Sequence, residues 1–152
     1  MRKNWFESIT ACLLIAYGVT RAKYANDLAG TGGLYAPGRC NEKDTPVIYA
    51  ARQPTSALAE VLAYLDFDQL PLDYVLVTLE IPDDVPTVEA ASEEVLAASK
   101  NPHVPVYLVC SVVVPQEFNI VMFPRAPGFV ASVKAVEPFH IDERSLGHRR
   151  SL

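Results

Sequence analysis

TPVIYAARQPTSALAEVLAYL, residues 45–65, holds two periods in one stretch. Its first part is a short extended segment carrying Tyr49, expected as a strand over 46–51; the second, from Pro54, reads as a helix near 54–66. Leu58, Val61, Leu62 and Leu65 recur at i, i+3, i+4 and i+7, a stripe expected to face the main core. Glu60 lies about 200° around the helix from Leu58. Its neighbours at helical spacing are Ala57, Ala63 and Tyr64, so a lone carboxylate occupies a small-residue face that another group can approach closely.

Strands dominate on either side. A strand is expected near 12–20 and a loop from about 26 to 45; YVLVTLEI, 74–81, is β-branched and bounded by Asp73 and Pro82. AASEEVLAAS predicts a second helix near 89–99. VYLVCSVVV, from Val106, predicts a fully buried strand ending at Pro115. FNIVMF and VASVKAVEPFHI supply two more. Many short strands, few helices and no regular βαβ alternation make an α+β pattern with mixed or antiparallel sheets. No linker or repeat divides the chain, so one domain over 1–152 is expected, with 1–10 and 147–152 outside its core.

Composition narrows the function. The chain has 152 residues, half of them apolar and 20% charged, enough for a real core. A net charge of -5 with scattered Lys and Arg argues against a general nucleic-acid binder, and Arg149 and Arg150 read as a tail. Cys12, Cys40 and Cys110 are odd in number and never in C-x-x-C spacing, which suggests no disulfide framework, no zinc site and a reducing cytoplasm. Cys110, among Val and Leu, reads as a small buried hydrophobe. The apolar run ACLLIAYGV follows Arg2 and Lys3 like a signal peptide, but it is far shorter than the ~20 residues of a membrane span. A first buried strand is the better reading.

GTGGLYAPGRCN, 30–41, sets a single Arg in a glycine-rich loop. Gly30, Gly32, Gly33 and Gly38 allow tight turns and exposed N–H groups, while Arg39 offers the planar fork that suits pyrophosphate or carboxylate. The loop matches neither the P-loop nor the dinucleotide fingerprint. Arg39 and Glu60 together suggest a site for a polar ligand; by pattern alone, a connecting loop and a half-exposed surface Glu account for them slightly better.

The order YGVTRAKYANDLAGTGGLYAPGRCN, TPVIYAARQPTSALAEVLAYL, DYVLVTLEIPDD, CSVVVPQEFNIVMFP and VEPFHIDERSL resembles the RES-domain family, the toxins of RES–Xre toxin–antitoxin modules. The resemblance runs from about Ile15 to Leu146. It implies a fold related to mono-ADP-ribosyltransferases and an enzyme that cleaves the nicotinamide–ribose bond of NAD, with phosphate, water or a protein side chain as acceptor. NAD is then a substrate, and no cofactor or metal is implied. The family's loop Arg matches Arg39, its strand Tyr matches Tyr49, its helix Glu matches Glu60 and its strand Ser matches Ser111. Tyr35 matches the aromatic ahead of the Arg, and Asn41 the residue closing the loop. In this reading Glu60 stabilises the oxocarbenium-like ribose, Arg39 holds pyrophosphate or phosphate, Tyr49 stacks on nicotinamide or holds a hydroxyl, and Ser111 bonds a carboxamide or phosphate. An Xre-type antitoxin is the implied partner in a hetero-oligomer, with no membrane and no direct nucleic-acid contact.

The departures are as specific. Where the family has an Arg in its first strand, this chain has Gly18; its loop Trp is Cys40, and its late Asn and His correspond to Phe123 and Ala126. Three other readings follow: an attenuated toxin that binds its antitoxin without turnover, an ADP-ribosyltransferase acting on a protein, and a small hydrolase using Cys110 or Ser111. For the last, His103, His140 and His148 are poorly placed as partners.

Overall fold

The structure, a computed structural model, describes residues 13–65 and 71–140. The expectations for residues 1–10, Cys12, His148 and the tail after 140 lie outside those residues. Chain order is β1 (Leu13–Arg21), a 3-10 turn (Ala22–Tyr24), α1 (Gly32–Tyr35), β2 (Ile48–Ala51), α2 (Pro54–Tyr64), β3 (Tyr74–Pro82), β4 (Thr87–Glu89), α3 (Ser92–Ala98), β5 (Val106–Cys110), β6 (Phe118–Met122) and β7 (Ser132–Pro138). The strands make one sheet in the order β4-β5-β6-β2-β1-β3-β7, parallel at β4–β5 and antiparallel elsewhere. This is the α+β class expected.

Strand alternation places a core on each face. On β3, Val75, Val77, Leu79 and Ile81 are buried and their neighbours are not, as period 2 demands. They pack with Ala16, Ala50, Ile120 and Met122, beneath Ala25, Leu28 and Phe129 from the connections. Each such Val or Leu contributes about 1.5–3 kcal/mol when fully buried. The opposite face carries Tyr107, Val109, Val121 and Phe123, covered in part by Val95 of α3; the rings of Tyr107 and Phe123 meet edge to face at 5.7 Å.

The join between the two halves of the sheet positions the site. β1 pairs with β3 along its whole length, Leu13 to Arg21 against Pro82 to Tyr74, and Arg21 fastens that end to Asp73 at 3.0 Å. With β2 it pairs only at Tyr17↔Ala51. Beyond that point β1 and β2 part, and α2 packs across both. β1 is therefore half-buried, with Ala16 alone fully so, rather than the buried strand expected.

Three more expectations change. The strand from Val106 ends at Cys110 instead of Pro115, because the Ser111 hydroxyl accepts the N–H groups of Val113 (3.2 Å) and Val114 (3.0 Å) and turns the chain. The helix near 89–99 is shorter, Ser92–Ala98, since residues 87–89 pair with β5. On α2 the buried residues are Ser56 and Ala57, while Leu58, Val61 and Leu62 are only half-buried. Ala57, Glu60, Val61 and Leu65 face a cavity against the sheet, so one edge of the apolar stripe and the Glu60 position turn inward together, while Ala63 is exposed.

The glycine-rich loop is held by its own contacts. Gly30, at φ +70, accepts from Val47 N at 3.1 Å, and a Cβ on Gly33 would lie 2.0 Å from Thr45 O. The N–H groups of Gly33, Leu34, Gly38 and Cys40 are all bonded within the protein, as in a connecting loop. Gly30 and Gly33 serve close approach to residues 45–47, and Gly38 to Asn41 and Tyr49. Asp27 secures the start of the loop, accepting from the N–H groups of Ala29 and Thr31 and from the Thr31 hydroxyl.

Candidate active site

A cavity of about 480 Å³ lies between α2, the loop at Gly38–Cys40 and the parted strands, walled by Tyr17 and Val19 of β1, Ala51 of β2, and Asn119 and Val121 of β6. That is the size range of small-molecule sites. Its lining is apolar except at a few points, where the charged groups stand out.

Glu60 reaches it from the middle of α2. Its Oε1 accepts hydrogen bonds from the Ser111 hydroxyl at 2.5 Å and from Asn119 Nδ2 at 2.8 Å. Ser111, 3% exposed, is itself pinned: its N–H bonds Glu117 O at 2.9 Å, and its oxygen takes the two N–H groups of the following turn. The end of β5, the start of β6 and the middle of α2 are thus tied at one carboxylate oxygen. A fixed carboxylate in an apolar wall is suited to stabilising positive charge.

Arg39 borders the same cavity, exposed, its Nη2 donating to Cys110 O at 3.2 Å, one residue before the serine that holds Glu60. The guanidinium keeps further donors for an anion. Tyr49 extends from β2 beneath the loop; its hydroxyl donates to Asn41 Oδ1 at 2.6 Å and accepts from Cys40 N at 3.1 Å. Asn41, 1% exposed, donates in turn to Ala36 O and Glu42 O. Asn41 therefore shapes the loop from behind rather than lining the cavity.

The residues singled out in the sequence are thereby sorted. Glu60, Arg39 and Tyr49 line one cavity, with Ser111 behind Glu60 and Asn41 behind Tyr49 supporting them. Tyr35 does not join them: it is 80% exposed and borders a separate hollow on the other face of the sheet. Gly18 stands where β1 leaves β2 and lines both hollows; a Cβ there would meet only Tyr49 O, at an ordinary contact distance of 3.8 Å. Phe123 and Ala126 are buried in the second core cluster and do not line the Glu60 cavity, so neither takes a polar contact away from it.

Asn119 was missed by sequence reasoning. A single polar residue in FNIVMF reads as an outward-facing position, yet its alternation with Ile120, which faces the first core, puts it beside Val121 on the cavity side. Its Oδ1 is the one buried side-chain polar atom without a partner among the described residues. Leaving such an atom unpaired costs about 1–3 kcal/mol.

The cysteines also depart from expectation. Cys110 is exposed, because β5 ends there and the chain turns away; Cys40 is 2% exposed and lines the cavity. Burial pushes the Cys40 thiol up, against the smaller downward pull of the Arg39 guanidinium and with a further push from Glu93. In a Cys12→Ser background at pH 8, iodoacetamide is expected to label Cys110 at least about tenfold faster than Cys40, because the thiolate is the reactive form. Peptide mass spectrometry reads the ratio, and equal rates would mean that the loop opens. Among the described residues neither thiol has a histidine partner, so nothing there favours the Cys110 hydrolase reading. Among the described residues no cluster of His, Cys, Asp and Glu could hold a metal, and no helix is long and apolar enough to cross a membrane.

Comparison with known proteins shows the family. The model of the RES domain matches residues 15–142. A protein of Pseudomonas putida named "Toxin Res" is 32% identical over 133 residues, covering 78% of this chain and 92% of its own length. The "Prs ADP-ribosylating toxin" of a Sphingobium species is 31% identical over 130 residues, 70% of this chain and 78% of that protein. In fold, the chain is similar to one in the crystal structure of the M. tuberculosis MbcT-MbcA toxin-antitoxin complex, with a TM-score of 0.61 and 16% identity over 85% of each chain. The chain belongs to the RES-domain family.

Proposed function

We propose that this chain is the toxin of a toxin–antitoxin module and that it consumes NAD by cleaving the bond between nicotinamide N1 and ribose C1′. The observation that carries the reading is the Glu60 carboxylate, fixed by Ser111 and Asn119 in an apolar cavity that Arg39 also lines. As the C–N bond breaks, its electron pair leaves with nicotinamide and C1′ becomes cationic. Glu60 stabilises that charge, and Arg39 holds the pyrophosphate or an incoming phosphate. The phosphate or water oxygen then forms the new bond to C1′, a water releasing its proton to solvent. Tyr49 offers its ring to the nicotinamide, because its hydroxyl is occupied by the loop. The names of the similar toxins support the cellular role, and the partner that fits it is an antitoxin of the Xre type.

Products decide the acceptor. Incubation with NAD, with and without phosphate, is expected to release nicotinamide faster with phosphate and to yield a phosphorylated ADP-ribose. Free ADP-ribose alone would mean hydrolysis, and label transferred to protein would mean ADP-ribosylation, a reading favoured by the name of the Sphingobium relative. The Gly18 departure favours one other reading, an antitoxin-binding toxin with little turnover. A Cβ is accommodated at this position beside two hollows, so Gly18→Arg is expected to fold and to raise nicotinamide release about tenfold if the missing cation limits phosphate binding. Release from Gly18→Arg together with none from the parent would establish the attenuated form.

A further inference from the structure

We infer that Asn119 is a positioning residue for Glu60, and that Ser111, Glu60 and Asn119 work as one unit. The inference rests on the NAD-cleaving reading of the site and extends it to a residue that no sequence motif marks.

The orientation of the Asn119 amide follows from its neighbour. A carboxylate oxygen only accepts, so the NH2 end must face Glu60 Oε1, where it lies at 2.8 Å. That choice leaves Asn119 Oδ1 buried and unpartnered. A side chain that carries such a cost is accounted for by what its other end does. Here the other end supplies one of two donors on the same oxygen, the second coming from Ser111 at 2.5 Å. The donors arrive from different elements: Ser111 from the turn after β5, Asn119 from β6. Two donors on one oxygen fix both the position and the rotation of the carboxylate, whereas one would let it swing. Glu60 stands on a helix whose flanking residues, Ala57 and Val61, offer it no polar contact, so its aim depends on these two.

The test is a double-mutant cycle with Asn119→Ala, Glu60→Gln and both together, read on NAD cleavage and on urea unfolding. Asn119→Ala alone is expected to lower kcat ten- to a hundredfold, as loss of an orienting partner does, with KM for NAD within about twofold. In the Glu60→Gln background the same change is expected to lower kcat less than about twofold, because nothing remains to be aimed. A merely structural role would lower kcat equally in both backgrounds and overturn the inference. If the parent chain cleaves no NAD, the proposed activity fails, and an unfolding cycle with Glu60→Ala in place of Gln, which removes the acceptor, decides on Asn119 by itself: non-additive effects support the pairing with Glu60, additive effects overturn it.

Discussion

Glu60→Gln is expected to lower nicotinamide release by about 10²–10³-fold while leaving the fold intact. Gln keeps the length of the side chain, and its carbonyl oxygen still accepts from Ser111 and Asn119, so the three elements tied at Oε1 stay together. What is lost is the negative charge facing the anomeric carbon as it becomes cationic. The loss belongs to kcat, since ground-state NAD carries no such charge at C1′ to the same degree. Ser111→Ala differs in kind: it removes one donor from Glu60 and also the acceptor that shapes the 111–114 turn, so both activity and stability should fall. Steady-state kinetics with circular dichroism separate the two. A Gln variant as fast as the parent would remove Glu60 from the chemistry.

Gly33→Ala is expected to be the most destabilising single methyl in the loop, by about 3 kcal/mol or more, because it overpacks a site with no room to relax. The added carbon would lie 2.0 Å from Thr45 O and 2.8 Å from Val47 Cγ1, and backbone on the 45–47 side cannot yield without breaking the Val47 N to Gly30 O bond. For a chain of this size that corresponds to a fall in Tm of about 6–12 °C. Gly32→Ala is the control. A Cβ on Gly32 meets nothing within 4 Å at the start of α1, so the substitution should be neutral or stabilise by about 0.4–1 kcal/mol through the unfolded chain. Thermal melts of the pair check this, and equal Tm values would mean that the loop is looser than its contacts indicate.

The two glycines show what the sequence could and could not convey. GTGG is legible as a tight loop, but only the fold reveals that Gly33 is pressed against residues 45–47 and Gly32 faces open space. β3 was legible throughout, since a β-branched run between Asp73 and Pro82 has few alternatives. SVVV after Cys110 misleads for the same reason: its propensity is that of a strand, and a single serine hydroxyl taking two backbone N–H groups overrides it. On α2 the Leu and Val stripe is the stronger periodic signal, yet Ala57 is buried because only a small side chain lets the helix approach the parted strands. Glu60 and Arg39 were legible as charges out of place. Asn119 was not, since its partner is 59 positions away in the chain and only the sheet register brings it to the cavity.

The central claim is that this cavity cleaves NAD at the nicotinamide–ribose bond. Chromatography of NAD incubated with purified chain and phosphate, beside the Glu60→Gln variant, tests it most directly. The account predicts nicotinamide accumulating in step with NAD loss in the first sample and about 10²–10³-fold more slowly in the second. Intact NAD after prolonged incubation with folded parent chain, or equal rates in the two samples, would contradict it.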